Sequence, residues 1–447
     1  MRIGDALGVS GKLRTDLYYA LQLKDVGCSS NATRMTQIIG GDDRAMKAST
    51  KREDWRKNGV SLRGLKTLWH NILPGKSLLQ RIARFIDIAR HAQTNREDMI
   101  QLRCERGAQI VYKLEMDEVT AEAVRALDEH WDGGGYPDGR KGKDIPLLAR
   151  ICSVAQTLDV FAIEDSIDAA MEVVRRRSGI WFDPEIVAVV ERLHAEGDFW
   201  KHCRSANDVE ETRAAVMALD PGEQTQLTPE RVDRICEAFA SVVDAKSPFT
   251  FRHSLGVADV AVEIAFEMNL APERVQLVRR AALLHDIGKL CVPNIILDKV
   301  GKLTPEEWAI VAEHPKRTQQ ILGRVSAFRE LAAFAAEHHE KMDGTGYPMG
   351  LTGAEISVES RILVVADTFA AMAENRPYRM GMEPAKILEI VGKDVPQKLD
   401  PQCFEALQKV VTRWNWLAPA VLTTELGKFS RPHPKRFNIE DELAQLI

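Results

Sequence analysis

Apolar residues recur every three or four positions along most of the chain, as in Val257, Val260, Ala261, Ile264 and Met268, while runs that alternate with period two are scarce. This pattern predicts an all-α protein. Two helix starts are marked by a hydroxyl N-cap followed by proline, at Thr228-Pro-Glu-Arg and Thr304-Pro-Glu-Glu. Residues 220–227 are polar and contain a Pro-Gly pair, which marks a linker.

The helical pattern repeats itself. Asp132-Gly-Gly-Gly-Tyr-Pro137 matches Asp343-Gly-Thr-Gly-Tyr-Pro348 at an offset of 211, and at the same offset Arg150-Ile-Cys-Ser-Val-Ala155 overlies Arg361-Ile-Leu-Val-Val-Ala366. Arg106-Gly-Ala-Gln-Ile110 overlies Arg317-Thr-Gln-Gln-Ile321 in that register too. Earlier in the chain Leu23-Lys-Asp-Val-Gly27 matches Leu284-His-Asp-Ile-Gly288 at an offset of 261, so the first copy carries about 50 extra residues between Gly27 and Arg103. The expected architecture is two tandem helical bundles: a first copy over 1–205 with an insertion at about 31–90, a linker over 206–227, and a second copy over 228–447. A length of 447 residues agrees with two cores rather than one. The insertion is locally basic, with Lys47, Lys51, Arg52, Arg56 and Lys57 around Trp55. It reads first as a solvated surface excursion, and second as a patch for a partner or phosphate.

Composition narrows the function classes. A net charge of -5 gives no global basic field for a nucleic-acid polymer or an anionic membrane. The seven cysteines are scattered and contain no C-x-x-C pair, which fits reduced thiols better than a disulfide framework or a zinc site. The first residues lack an apolar signal core and no apolar run is long enough to cross a bilayer, so the expected location is the cytoplasm.

Candidate chemistry gathers in the second copy. His253 lies one turn before Val257 on an apolar stripe, His285-Asp286 follows Ala281-Ala-Leu-Leu284, His338-His339 follows Phe334-Ala-Ala336, and Asp367 follows Ile362-Leu-Val-Val-Ala366. With His314 these residues hold five of the chain's eleven histidines. A carboxylate on a buried face is costly unless a cation or hydrogen bonds compensate. Asp286 has two oxygens and can bridge a pair of ions, with His253, His285 and Asp367 completing one site and His314, His338 and His339 the other. This donor set suits two divalent ions, iron or manganese first, with cobalt, nickel, zinc and magnesium as alternatives; the lack of cysteine ligands argues against a structural zinc.

The ordered set His253, His285-Asp-Ile-Gly-Lys289, His314-Pro315, His338-His339, Asp343-Gly-Thr-Gly-Tyr-Pro348, Asp367 and Arg376-Pro-Tyr-Arg379 resembles the HD-GYP subgroup of the HD phosphohydrolases. The resemblance covers residues 228 to 410 strongly and 1 to 200 as a degraded copy. It implies a metal-dependent phosphodiesterase that opens a cyclic dinucleotide, cyclic di-GMP first and 3',3'-cyclic GMP-AMP as an alternative, to a linear dinucleotide or mononucleotides. It also implies that Asp286 and Lys289 are catalytic, with Lys289 beside the scissile phosphate. Gly344, Gly346, Tyr347 and Pro348 would line the substrate cleft, and Arg317, Arg376 and Arg379 are candidates for phosphate or guanine contacts. Some relatives carry a glutamate four residues before the first histidine; Phe249 stands there, which favours two ions over three. Thr318 replaces a usual glycine.

The first copy has lost this chemistry. His285, His314, His338, His339 and Asp367 correspond to Lys24, Arg103, Leu127, Asp128 and Gln156, and Asp286 alone persists, as Asp25. The counterpart of His253 would precede residue 1. Cations at ligand positions repel metal, so this half is expected to be structural or regulatory. A homodimer or a diguanylate cyclase is a candidate partner. Two rival readings stay open: a broader HD nucleotide phosphohydrolase, and a cyclic-dinucleotide sensor without turnover.

Overall fold

The computed structural model describes residues 1–41, 62–201, 209–222, 227–247, 253–299, 301–374 and 380–414. The first copy contains α1 (Gly11–Leu23), α2 (Ala92–Lys113), α3 (Glu118–Arg125), α4 (Leu147–Glu164), α5 (Ile167–Arg177) and α6 (Pro184–Ala195). In the second copy lie α7 (Pro229–Asp244), α8 (His253–Glu267), α9 (Pro272–Leu284), α10 (Pro305–Ala312), α11 (His314–Leu322), α12 (Leu331–Ala336), α13 (Val358–Ala373) and α14 (Pro401–Trp414). Among the described residues the only extended pairings are two isolated bridges, Ser178 with Phe182 and Asp343 with Thr352. The fold is all-α, as the periodicity predicts.

Each copy has its own core. In the second, α8 packs against α9, α13 and α14, and Val257, Ala261 and Ile264 meet Leu284, Val365 and Phe369. Small residues on the facing helices, Ala258, Ala265, Ala281 and Ala282, are all buried in this core. In the first copy Leu17, Leu127, Leu148, Ile151, Met171 and Ile186 form the core, and α1 overlies α9 in the 261 register. The single 22-residue helix α2 stands where the second copy has both α10 and α11. The difference follows from one residue: Pro315 has no N–H and disfavours helical geometry just before it, whereas its counterpart is Cys104.

Two expectations change. The insertion is more than a surface excursion, since helices Ser30–Ile39, Leu62–Asn71 and Leu78–Arg90 enclose a small core of Met35, Ile39, Leu68 and Ile72. Its basic residues from Lys47 to Lys57 and Trp55 lie outside the described residues. The expected linker carries a helix, Val209–Met217, whose Glu210 and Glu211 suit a helix N-terminus.

The copies meet along α2 and α7. Ile110 and Leu114 pack on Ala238 and Val242, with Leu23, Val26 and Leu290 alongside. Arg234 pairs with Glu115 at 2.7 Å, and Lys113 Nζ donates to Ser241 Oγ at 2.9 Å. Among the described residues, no helix is long and apolar enough to cross a membrane.

Candidate metal centre and active site

Every expected ligand in the second copy except Asp367 stands at or near a helix terminus. His253 opens α8, His285 and Asp286 close α9, His314 opens α11, and His338 and His339 follow α12, whereas Asp367 lies inside α13. Three of these histidines share one local device. The Nδ1 atoms of His285, His314 and His338 donate to the carbonyls of Ala282, Val311 and Ala335, each three residues earlier and each at 2.7 Å. This fixes the tautomer and aims each Nε2 inward.

The inward atoms converge. His314 Nε2 and His338 Nε2 are 3.2 Å apart. Asp286 Oδ1 lies 3.3 Å from the first and 3.7 Å from the second. The other carboxylate oxygen, Oδ2, is 3.3 Å from His285 Nε2 and 3.9 Å from His253 Nε2. Asp367 Oδ1 stands 3.2 Å from His253 Nε2 and 3.9 Å from His285 Nε2. Metal-capable triads therefore form as His253, His285 and Asp367, as His314, His338 and His339, and as His285, Asp286 and His338. Asp286 offers one oxygen to each of the first two.

Two bare imidazole lone pairs facing each other beside a carboxylate repel unless a cation lies between them. Asp286 Oδ1 is moreover buried without a hydrogen-bond partner. The donor set thus fits divalent ions. The electrostatics of His338, His339 and the two carboxylates agree. Burial, reinforced by His339 and its other imidazole neighbours, holds His338 well below the ordinary range, and burial pushes His339 down to about 3, so both rings are in the neutral, ligating form. Burial opposes ionisation of Asp286 and Asp367, but His285 and Lys289 around the first and His253 and His285 around the second hold both carboxyls below the usual range. For His253, burial favours the neutral ring and is outweighed by hydrogen bonds to Asp367 and Glu374, which raise it to about 10.

Packing holds the cluster from behind. Gly288 follows Asp286 in a 3-10 turn, Ile287–Cys291, and any Cβ there would collide with the His314 carbonyl. Thr318, at the position where glycine is usual, is buried; its hydroxyl donates to His285 O at 2.8 Å and accepts from Gly288 N at 3.0 Å. The threonine ties the His285-Asp286 segment to α11.

On the open side stand Asp367 and Lys289, with side chains 15% and 20% exposed, whereas those of His253, His285, Asp286, His314 and His338 are at most 4% exposed. Lys289 Nζ lies 2.5 Å from Asp286 Oδ2. Tyr347 stacks on His339 with ring centroids 4.7 Å apart. The loop that carries it is built from the backbone: Gly344 has φ +75°, and a Cβ at Gly346 would lie 2.5 Å from Glu340 Cα. Buried Glu340 accepts from Met349 N and Leu351 N at 2.7 and 2.9 Å. Half-buried Pro348 completes the loop through a cis bond to Tyr347. Arg317 is exposed with its guanidinium on Gln320, away from the cluster contacts. Arg376, Arg379 and Phe249 lie outside the described residues.

Sequence reasoning missed Glu374, whose Oε1 is 3.0 Å from His253 Nδ1. Its signal was spacing, because Glu374 follows Asp367 by seven residues and so shares its helix face. Glu340 and Asp244 were also missed. The latter is buried, accepts from the Ser254 hydroxyl at 2.7 Å, and is raised by burial to about 7.

The first copy repeats the frame with other side chains. Glu129 accepts from Asp138 N and Arg140 N at 2.7 and 2.9 Å, and Gly133 has φ +85°. At the ligand positions, Lys24 Nζ donates to Asp25 and, at 3.1 Å, to Gln156, while Arg103 pairs with Asp128. Side-chain cations stand where the second copy converges lone pairs.

The model of the HD domain family matches residues 34–186 and 237–403, one stretch in each copy. The chain belongs to the HD-domain family. Within it, the chain sits in the HD-GYP branch. It is 42% identical over 413 residues to the 3'3'-cGAMP-specific phosphodiesterase 3 of Vibrio cholerae serotype O1, covering 92% of this chain and 88% of that protein. A crystal structure of a cyclic GMP-AMP phosphodiesterase from V. cholerae aligns with TM-score 0.58 and 37% identity, over 92% of this HD-domain chain and 90% of the other. The cyclic di-GMP phosphodiesterase of Thermotoga maritima is 44% identical over 132 residues, 29% of this chain and 36% of its own.

Proposed function

We propose that this chain is a metal-dependent phosphodiesterase that hydrolyses a cyclic dinucleotide, with 3'3'-cyclic GMP-AMP ahead of cyclic di-GMP. The observation that carries the chemistry is the convergence of buried, carbonyl-oriented imidazoles on Asp286, whose Oδ1 has no proton donor. The substrate order, which moves away from the one the sequence favoured, is supported by a relative matched over 92% of this chain being specific for 3'3'-cGAMP. The matched cyclic di-GMP phosphodiesterase of T. maritima covers only 29% of the chain.

Two divalent ions held by His253, His285, Asp367, His314, His338, His339 and bridging Asp286 would supply Lewis acidity for water and for the phosphoryl oxygens. The protein's own groups do the rest. Lys289, held against Asp286 Oδ2 at the open edge, would meet charge growing on the phosphate or give a proton to the departing oxygen. The carbonyl-tethered rings hold their geometry through the reaction, so no reorganisation is required of them. Six free cysteines without a disulfide among the described residues support a reducing location such as the cytoplasm.

Protein loaded with manganese or ferrous iron should open 3'3'-cGAMP to a linear dinucleotide, and Asp286→Asn should lose both turnover and ions. A metal-loaded wild type that binds the dinucleotide without cleaving it would make the chain a sensor. Faster cleavage of simple nucleotides would make it a broader phosphohydrolase.

A further inference from the structure

We propose that Trp308 is a stacking platform for a purine base of the substrate, an inference that rests on the cyclic-dinucleotide reading above. Among the described residues, the cluster is open where Asp367, Lys289, His339 and Tyr347 stand, while its remaining ligands are buried. From that opening the rings run outward in sequence. Tyr347 stacks on His339, and Trp308 meets Tyr347 edge-on with centroids 5.6 Å apart and planes at 73°. Trp308 is 48% exposed. A nucleobase stacks on an exposed aromatic face whatever its identity.

The position is preorganised. Helix α10 begins with a capping box of Thr304 and Glu307, and its Val311 carbonyl orients His314. Trp308 lies one turn before Val311, so one short helix sets both a ligand and the platform. A base lies one sugar from its phosphate; Trp308 lies one ring from His339.

The first copy argues that this tryptophan is not needed to hold the loop. In the 211 register its counterpart is Glu97, which accepts a hydrogen bond from the Tyr136 hydroxyl at 3.2 Å. That copy keeps the tyrosine and the loop, and has dropped the platform together with the ligands.

The test compares wild type, Trp308→Phe and Trp308→Ala, all metal-loaded, on 3'3'-cGAMP and on bis(p-nitrophenyl) phosphate, which has no nucleobase. Trp308→Ala should raise KM for the dinucleotide about tenfold or more, with kcat and metal content nearly unchanged and Trp308→Phe restoring most of the loss. Cleavage of the base-free diester should change less than twofold. An unchanged KM would overturn the proposal. So would equal losses on both substrates with a fall in bound metal, since that marks a wedge holding Tyr347. If wild type cleaves no cyclic dinucleotide, the functional reading fails by itself, and titration with GMP decides the platform. Quenching of the tryptophan fluorescence that disappears in Trp308→Phe, together with weaker GMP binding in Trp308→Ala, supports it; equal binding in all three proteins overturns it.

Discussion

At the scale of the residue, the centre works through groups one step behind its ligands. Glu374 holds His253 through Nδ1, so Glu374→Gln keeps the shape and removes the charge that orients the ring. Metal titration should show affinity lowered roughly 10–100-fold; unchanged affinity would mean that Asp367 positions His253 alone. Asp244 makes a prediction about acidity. Its carboxyl is raised to about 7 by burial, with the Ser254 hydrogen bond opposing. A raised carboxyl binds its proton more tightly in the folded state. Its stabilising contribution is therefore complete below the ordinary carboxyl range and is lost as pH rises through about 7. In chelator-stripped protein, Asp244→Asn should flatten the fall in melting temperature between pH 5 and pH 8. A variant whose melting temperature falls as steeply as wild type would refute the assignment.

At the scale of the element, the His285-Asp286 turn is locked onto α11 by Gly288 and Thr318. Thr318→Val retains shape but strands the Gly288 N–H and the His285 carbonyl, which should lower stability by about 1–3 kcal/mol. Thr318→Ser should recover most of that in denaturant unfolding. Gly288→Ala should be worse, because the added methyl meets the backbone of His314 rather than a side chain that can move. Much at this scale was legible in advance. The helices follow apolar spacing, and the ligands stood out because each polar residue interrupts or ends an apolar helical face. The links between helices were not legible. Nothing local ties Thr318 to Gly288, or Glu374 to His253 across 121 positions. The small core of the insertion needed Met35 and Ile72 to meet across a long excursion, and the pattern of either alone gives no partner. Arg317 fitted phosphate chemistry by type, yet the geometry of α11 turns it toward Gln320.

At the scale of the molecule, two versions of one frame treat buried charge differently. The first copy neutralises Asp25 and Asp128 with Lys24 and Arg103, whereas the second leaves convergent donors that need ions. Chelation should therefore act on one half. Binding to the folded state alone stabilises it by mass action, so removing metal should lower the unfolding temperature of the second copy and leave hydrogen exchange in α1 and α4 nearly unchanged. Equal loss of protection in both copies would show that they unfold as one unit.

The cluster of Ile110, Leu114, Ala238 and Val242 also bears on how the chain is made. Domains fold as units as they leave the ribosome, N-terminal first. The first copy carries its own cations and can close as soon as its last helix emerges. It then waits with an apolar strip along α2 until α7, the first helix of the second copy, arrives to cover it. A nascent chain stalled between the two would display that strip to chaperones and to other nascent chains, while a finished one hides it beneath the half that captures metal.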